Sequence, residues 1–215
     1  MCRNFSVTIL FSCVASVAAF LVGCSSTQPA ATTAEGFSYH NDKDLQKVWL
    51  ADQFDFTGYD TLYITDTKLE AKPHNDEEAR LLEWAKPFLR DELASRIRAT
   101  NVFGSVITGE SEIKTGTRVL RMENTIIEYQ KGGGGARYFA GLYGAGQPVI
   151  KVRGTMADGD KTLFRFESRR SGESAGARLV GAYKSDKDIQ AEDIKDLALD
   201  MAGFISQTSK HIPRK

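Results

Sequence analysis

The residues that are best placed by type and spacing to do chemistry form the run Gly172-Glu173-Ser174-Ala175-Gly176. This run matches Gly-x-Ser-x-Gly, a pattern in which a serine on a sharp strand-to-helix turn acts as a nucleophile. Such a serine needs a histidine base, for which His211 lies downstream, and oxyanion donors, which the glycines at 132–135 would supply. The pattern raises serine hydrolysis as one hypothesis.

The same five residues resemble the nucleophile motif of carboxylesterases in the α/β-hydrolase family, and this resemblance implies a small serine hydrolase. The surrounding sequence predicts a different context for Ser174. The motif follows a predicted hairpin strand, residues 177–183 show no helical pattern, and no parallel strand–helix units precede it. His211 lies only 37 residues downstream, near the chain end, where we expect poor order. A loop serine is the favoured interpretation, and hydrolysis by Ser174 is the alternative.

Cys24 is the second residue with chemical potential, because of what precedes it. Arg3 is followed by an 18-residue run without charge, Phe5 to Val22, and then by Gly23. A cation, an apolar segment and a small residue at the cut are typical of a secretory signal. The run Leu21-Val22-Gly23-Cys24 resembles the lipobox of bacterial lipoproteins. The resemblance implies a thioether-linked diacylglycerol on Cys24, cleavage before it and acylation of its new amino group.

An uncleaved transmembrane helix is the alternative for this segment, since about 18 apolar residues is just enough to span a bilayer. The run ends at Ser25 and Ser26 without the Lys or Arg that would stop transfer, which favours the lipoprotein interpretation. Resemblance to lipoproteins of two-membrane bacteria further implies that a residue other than Asp after Cys24 routes the protein outward. We therefore expect an outer-membrane lipoprotein that faces the periplasm and contacts the membrane through its lipid anchor.

The remaining titratable residues predict no metal site and no cofactor. Cys2 and Cys13 fall inside the signal, so residues 24–215 would carry no free thiol for catalysis or for a metal cluster. His40 and His74 lie in polar segments, without the spacing of a helical zinc site. The sequence also contains no calcium-loop or phosphate-loop motif.

The charge balance is neutral, with 28 basic and 28 acidic residues. Removing residues 1–23 removes only Arg3, which leaves 27 basic residues against 28 acidic ones. This balance argues against a nucleic-acid partner and against polybasic attachment to lipid head groups. The 192 residues that remain are also few for a two-lobed protein that feeds a ligand to a transporter.

The chain divides into a signal peptide (1–23), a flexible tether (24–36) and one folded domain (37–211). The tether is small and polar, so it buries too little surface to fold. Periodicity predicts two principal helices, one from Asn75 that Pro87 would kink or split, and one from about Asp188. Five strands are predicted, at 59–66, 103–108, 117–129, 148–156 and 161–169, the last two joined by a turn at 157–160. The expected fold class is α+β, a mainly antiparallel sheet of about five strands with both helices packed on it.

The glycine-rich stretch from Lys131 to Gly146 is the candidate contact loop. It carries one cation, Arg137, and four apolar or aromatic residues without charge: Tyr138, Phe139, Leu142 and Tyr143. Exposed apolar patches tend to mark interaction sites. The alternative is a long, mobile hairpin connection without a role of its own.

Residues 137–146, with the strand at 149–152 and the turn at 157–159, resemble the DUF4410 type of bacterial lipoprotein domain. The resemblance covers about 40 residues and implies envelope residence and an α+β domain, without catalytic residues. Together these features predict a non-enzymatic, lipid-anchored protein that binds another envelope protein.

Overall fold

The computed structural model describes residues 36–52, 54–133, 146–172 and 184–210. Within these ranges the chain forms eight strands and two long helices, in this order: β1 (Phe37–Asp42), β2 (Gln46–Ala51), β3 (Thr61–Ile64), β4 (Lys68–Leu69), α1 (Asp76–Arg98), β5 (Ser105–Ile107), β6 (Val119–Gln130), β7 (Val149–Asp158), β8 (Lys161–Arg170) and α2 (Asp186–Lys210). Short 3-10 turns occupy Phe56–Gly58 and Glu110–Glu112.

All eight strands belong to one mixed sheet, with the order β1-β2-β8-β7-β6-β3-β5, and β4 also pairs with β6. Four pairs are antiparallel: β1–β2, β2–β8, β8–β7 and β7–β6. The other three, β3–β6, β3–β5 and β4–β6, are parallel. The α+β class is confirmed, but a mainly antiparallel sheet of about five strands is wrong. The parallel pairs arise because α1 carries the chain from β3 back to the start of β5, as a crossover must.

Three strands were absent from the sequence prediction: β1, β2 and β4. The β1 residues His40, Asn41 and Asp42 have low strand propensity, so local pattern does not identify them. They are extended because β1 pairs along its whole length with β2, and β2 pairs with β8 in turn. Tertiary pairing thus outweighs local preference.

Helix α1 begins as predicted, with the Asn75 side chain accepting a hydrogen bond from the Glu78 N–H at 3.0 Å. It then continues through Pro87 as one helix, so two abutting helices is wrong. Pro87 has no N–H to donate to the carbonyl of Glu83, four residues earlier. Both residues are exposed, so water can hydrate that carbonyl instead.

Both helices pack on one face of the sheet, as expected from their apolar stripes. Leu82, Leu89 and Leu93 of α1 and Ile194, Leu197 and Met201 of α2 are fully buried in the core. The strands contribute alternate residues to the same core: Val48, Leu62, Ile64, Leu120, Met122, Ile126, Ile150, Val152, Met156, Phe164 and Phe166. Neither described helix is long and apolar enough to cross a membrane.

The hairpin of β7 and β8 is confirmed, with Gly159 at φ +57° in the two-residue turn. In the same hairpin, Gly154 lies directly beneath the Phe166 ring. A Cβ on Gly154 would lie 2.7 Å from Phe166 Cζ and 2.8 Å from Asn124 Oδ1. Only glycine fits this point of the core.

Candidate functional site

The residues singled out from the sequence lie outside the described part of the structure. This holds for Cys24, for Ser174 and His211, and for the contact-loop residues Arg137, Tyr138, Phe139, Leu142 and Tyr143. The structure does describe the residues at the base of the contact loop and at the start of the serine motif. It also describes one surface that the sequence did not indicate.

The base of the contact loop is firmly held. The Gly133 N–H donates to the Gly146 carbonyl at 2.9 Å, so the loop connects the adjacent antiparallel strands β6 and β7. The Lys131 N–H donates to Glu78 Oε1 at 3.1 Å, and the Lys131 ammonium pairs with Glu77. These contacts fix the end of β6 to the first turn of α1.

Glu78 is the centre of that attachment. Its Oε2 accepts the His74 N–H at 2.7 Å, and the His74 ring Nδ1 lies 2.9 Å from the same oxygen. Burial raises the pKa of the Glu78 carboxyl, but the hydrogen bonds from His74 and Lys131 outweigh it and hold the pKa below its ordinary value. Glu78 is therefore a structural carboxylate, because its two oxygens accept hydrogen bonds from the backbone N–H groups of His74 and Lys131.

The serine motif begins directly after β8, at Gly172. Strand β8 runs antiparallel to both of its neighbours, β2 and β7, whereas a nucleophile elbow follows a strand of a parallel sheet. The Gly172 N–H donates to Asp193 Oδ2 at 2.9 Å. The described surroundings of the motif therefore tie its first glycine to helix α2 and differ from those of a hydrolase elbow.

Asp193 lines a polar cleft of about 330 Å³ between the end of β8, the β1–β2 turn and α2. Its carboxyl is 2% exposed, and burial raises its pKa to about 6 against the opposing effects of the Gly172 N–H and Arg170. Arg170 bonds to Asp200 at 2.8 Å and to the Asp44 carbonyl at 2.8 Å. No group of three or more His, Cys, Asp or Glu side chains among the described residues is arranged to hold a metal ion. We interpret this cleft as a structural junction that carries one costly buried acid.

The surface that the sequence did not indicate is the sheet face opposite α1 and α2, which we call the outer face. Strand alternation places Tyr39, Trp49, Arg165 and Thr155 in one row across β1, β2, β8 and β7. The next row contains Asn41, Lys47, Glu167 and Arg153. Neither described helix packs on this face, which aromatic and charged side chains share.

The outer face carries an excess of cations. Its strands present Lys47, Lys68, Arg121, Lys151, Arg153, Arg165 and Arg169. They also present the three carboxylates Glu123, Glu128 and Glu167, and Glu70 reaches Arg153 from the edge. Seven cations against four carboxylates make this face basic, although the whole chain is neutral.

A concave site of about 540 Å³ lies in the outer face, lined by Trp49, Thr155, Thr162, Arg153, Arg165, Phe166 and Glu167. Trp49 lines one side of this site, and its ring centroid lies 5.4 Å from that of Tyr39 on the neighbouring strand β1. Glu167 Oε1 lies 3.2 Å from Arg153 Nε, and Glu167 Oε2 lies 3.0 Å from Lys151 Nζ. Partial burial raises the pKa of Glu167, but these cations outweigh it, so the pKa lies below its ordinary value.

The outer face combines two kinds of side chain that binding surfaces commonly use. Aromatic rings supply apolar area, and Arg and Lys supply donors to an anion. The signal for this site was present in the sequence, because Phe37 and Tyr39 alternate with the polar Ser38 and His40, whereas Lys47 and Trp49 alternate with the apolar Val48 and Leu50. Without knowing that β1 and β2 are strands, that alternation could not be assigned to one face.

Fold and outer face together define an α+β domain with two helices on one side of a mixed sheet and an aromatic, cationic surface on the other. No protein-family model and no curated protein matches the chain.

Several solved structures are similar to part of it. A PelC dodecamer from Paraburkholderia phytofirmans has 12% identity and a TM-score of 0.45, over 71% of this chain and 96% of that one. A putative neuraminyllactose-binding hemagglutinin homolog from Helicobacter pylori has 12% identity and a TM-score of 0.37, over 80% and 94%. A minor lipoprotein from Acinetobacter baumannii has 17% identity and a TM-score of 0.33, over 70% and 94%. At these values neither a family nor a function follows.

Proposed function

We propose that the chain is a lipid-anchored protein of the bacterial outer membrane that faces the periplasm and acts by binding an envelope component. The anchor is assigned to Cys24 on the strength of the lipobox resemblance at 21–24. Residues 25–36 serve as the tether, and residues from Phe37 onward form the binding domain. The DUF4410 resemblance, whose strand pair coincides with the β7–β8 hairpin, supports the same residence.

The binding role rests on one observation, the composition of the outer face. Tyr, Trp and Arg are the residues most enriched in binding surfaces and among the side chains that dominate binding energy. Here Trp49, Arg153 and Arg165 line one concave site, and the Tyr39 ring lies beside that of Trp49. The core needs none of them, since the helices bury the opposite face of the sheet.

Site-specific photo-crosslinking in living cells tests this role. A photoreactive residue at Lys47, exposed on the outer face, is compared with the same residue at Leu199, which is 55% exposed on α2. We expect adducts, to protein or to lipid, from position 47 and not from position 199. Absence of any adduct at 47, or equal adducts at both positions, would contradict a binding role for this face.

The loop from Lys131 to Gly146 is proposed as a second contact element. Its aromatics Tyr138 and Phe139 have no charged neighbour after Arg137, so covering them with a partner costs little desolvation. The fixed base at Glu78 and Gly133 supports this role, because it fixes where the loop leaves the domain.

A further inference from the structure

The neutral chain separates its charges between two sides. The outer face has seven cations against four carboxylates, whereas α2 carries six acidic residues, Asp186, Asp188, Glu192, Asp193, Asp196 and Asp200, against three lysines. Such a separation gives the domain a preferred orientation in the field of a charged surface. The outer face would turn towards an anionic surface and α2 away from it.

The outer face also carries the aromatic pair suited to a membrane interface. Trp and Tyr are enriched where lipid head groups meet water, because their rings are apolar and their N–H or O–H stays hydrated. Tyr39 and Trp49 lie side by side on β1 and β2, at the same edge of the sheet as Lys47. The cations and the aromatics thus share one surface.

The chain enters the domain at that same edge. Phe37, the first residue of β1, is on the outer face, and the Arg165 guanidinium lies 4.8 Å from the centroid of its ring. Twelve residues, 25–36, separate Phe37 from Cys24. If residues 25–36 act as the proposed tether, a random coil of that length has a root-mean-square span of about 20 Å, so a lipid on Cys24 would keep the Tyr39–Trp49 edge close to the bilayer.

We propose that the outer face docks on the anionic lipid head groups of the membrane in which Cys24 is anchored. The inference rests on the proposed lipid anchor and names the partner of this face as an anionic lipid surface. The lipid anchor and the docked face then act together, since the anchor supplies proximity and the cations supply orientation. Docking explains why a chain without net charge concentrates basic residues on the face nearest its tether.

The chain contains two tryptophans, which makes the docking measurable at each side of the sheet. Trp49 is on the outer face, whereas Trp84 is on α1, stacked on Phe88 with ring centroids 4.9 Å apart. Trp84→Phe leaves Trp49 as the single reporter, and Trp49→Phe leaves Trp84. The purified lipidated protein is reconstituted into vesicles of phosphatidylcholine, with or without phosphatidylglycerol, that contain a lipid with a nitroxide quencher on its head group.

We expect quenching of Trp49, and not of Trp84, in the vesicles that contain phosphatidylglycerol, and its loss at high salt. Lys47→Gln with Arg153→Gln should lower the docked-to-undocked ratio roughly 25-fold, at roughly fivefold per cation. The matched control, Arg80→Gln with Arg96→Gln, removes two exposed cations from α1 and should leave quenching unchanged.

Three results would overturn the inference. Protein that stays on the vesicles without quenching of Trp49 would show that the anchor holds but the face does not dock. Equal quenching of Trp49 and Trp84 would show that the domain has no preferred orientation. Protein that does not remain with the vesicles at all would contradict the anchor itself, and the docking with it.

Discussion

Replacing Asp193 by Asn should make the domain more stable at neutral pH, because the wild-type carboxylate is buried at a cost. Asp193 is 2% exposed, and its strongest described contact is one hydrogen bond from the Gly172 N–H. An Asn side-chain oxygen can still accept that bond, although less strongly than a carboxylate, and it carries no charge. The substitution therefore removes the buried charge and keeps the contact.

The sign and size follow from the pKa. Burial raises the pKa of Asp193 to about 6 in the folded state, whereas an unfolded Asp has its ordinary pKa of 3.8. Well below pH 3.8 both states hold the proton and there is no penalty. As pH rises from 4 to 6 the unfolded state loses its proton first, so the free energy of unfolding falls, and above pH 6 the loss is complete. The shift of about two units corresponds to about 3 kcal/mol.

Urea denaturation of the chain from residue 24, with Cys24→Ser, measures this at pH 4.5 and pH 7.5. Between these two pH values, the difference in unfolding free energy between Asp193→Asn and wild type should increase by about 2 kcal/mol in favour of the variant. Asp160→Asn is the control, since Asp160 is exposed in the hairpin turn. Parallel pH profiles for wild type and Asp193→Asn would refute the reasoning.

Four further predictions concern two glycines, the loop and the serine. Gly154→Ala should lower the free energy of unfolding by about 1–3 kcal/mol, because its Cβ would meet the Phe166 ring. Gly203→Ala, in α2 with open space around it, should instead raise it by about 0.5–1 kcal/mol in the same denaturation assay. Tyr138→Ala with Phe139→Ala should leave the melting temperature within a few degrees of wild type yet remove a crosslinked partner, and a loss of several kcal/mol would assign these rings to the core instead. Ser174 should not react with a fluorophosphonate probe; stoichiometric labelling would favour the hydrolase alternative.

The parts of the fold that could be predicted are those with long, regular patterns. Helix α1 has a capping Asn75 and an apolar stripe over six turns, and the β7–β8 hairpin has an Asp-Gly turn between two alternating runs. The edge strand β1 has neither, and it is extended only because β2 pairs with it. The parallel pairs of β3 depend on where α1 crosses the sheet, which no local pattern states.

The outer face shows why the site was harder to predict than the fold. Its charge excess disappears in the count of 28 basic and 28 acidic residues, because α2 carries the balancing acids. Lys47 and Arg153 are 106 positions apart in the chain and meet across Glu167 only once β2, β8 and β7 are side by side. The near-neutral net charge of the chain argues against attachment to lipid head groups. The uneven distribution of the charges over the fold is the reason to propose such attachment.

The lipid on Cys24 is the central claim, and metabolic labelling with a clickable fatty acid tests it most directly. Cells that express the wild-type chain or Cys24→Ala are labelled and fractionated, and the chain is detected by its size. The account predicts a labelled, shortened wild-type protein in the outer membrane and an unlabelled, full-length Cys24→Ala precursor. Normal acyl labelling of Cys24→Ala would contradict the anchor, and wild-type protein in the inner membrane would contradict its routing.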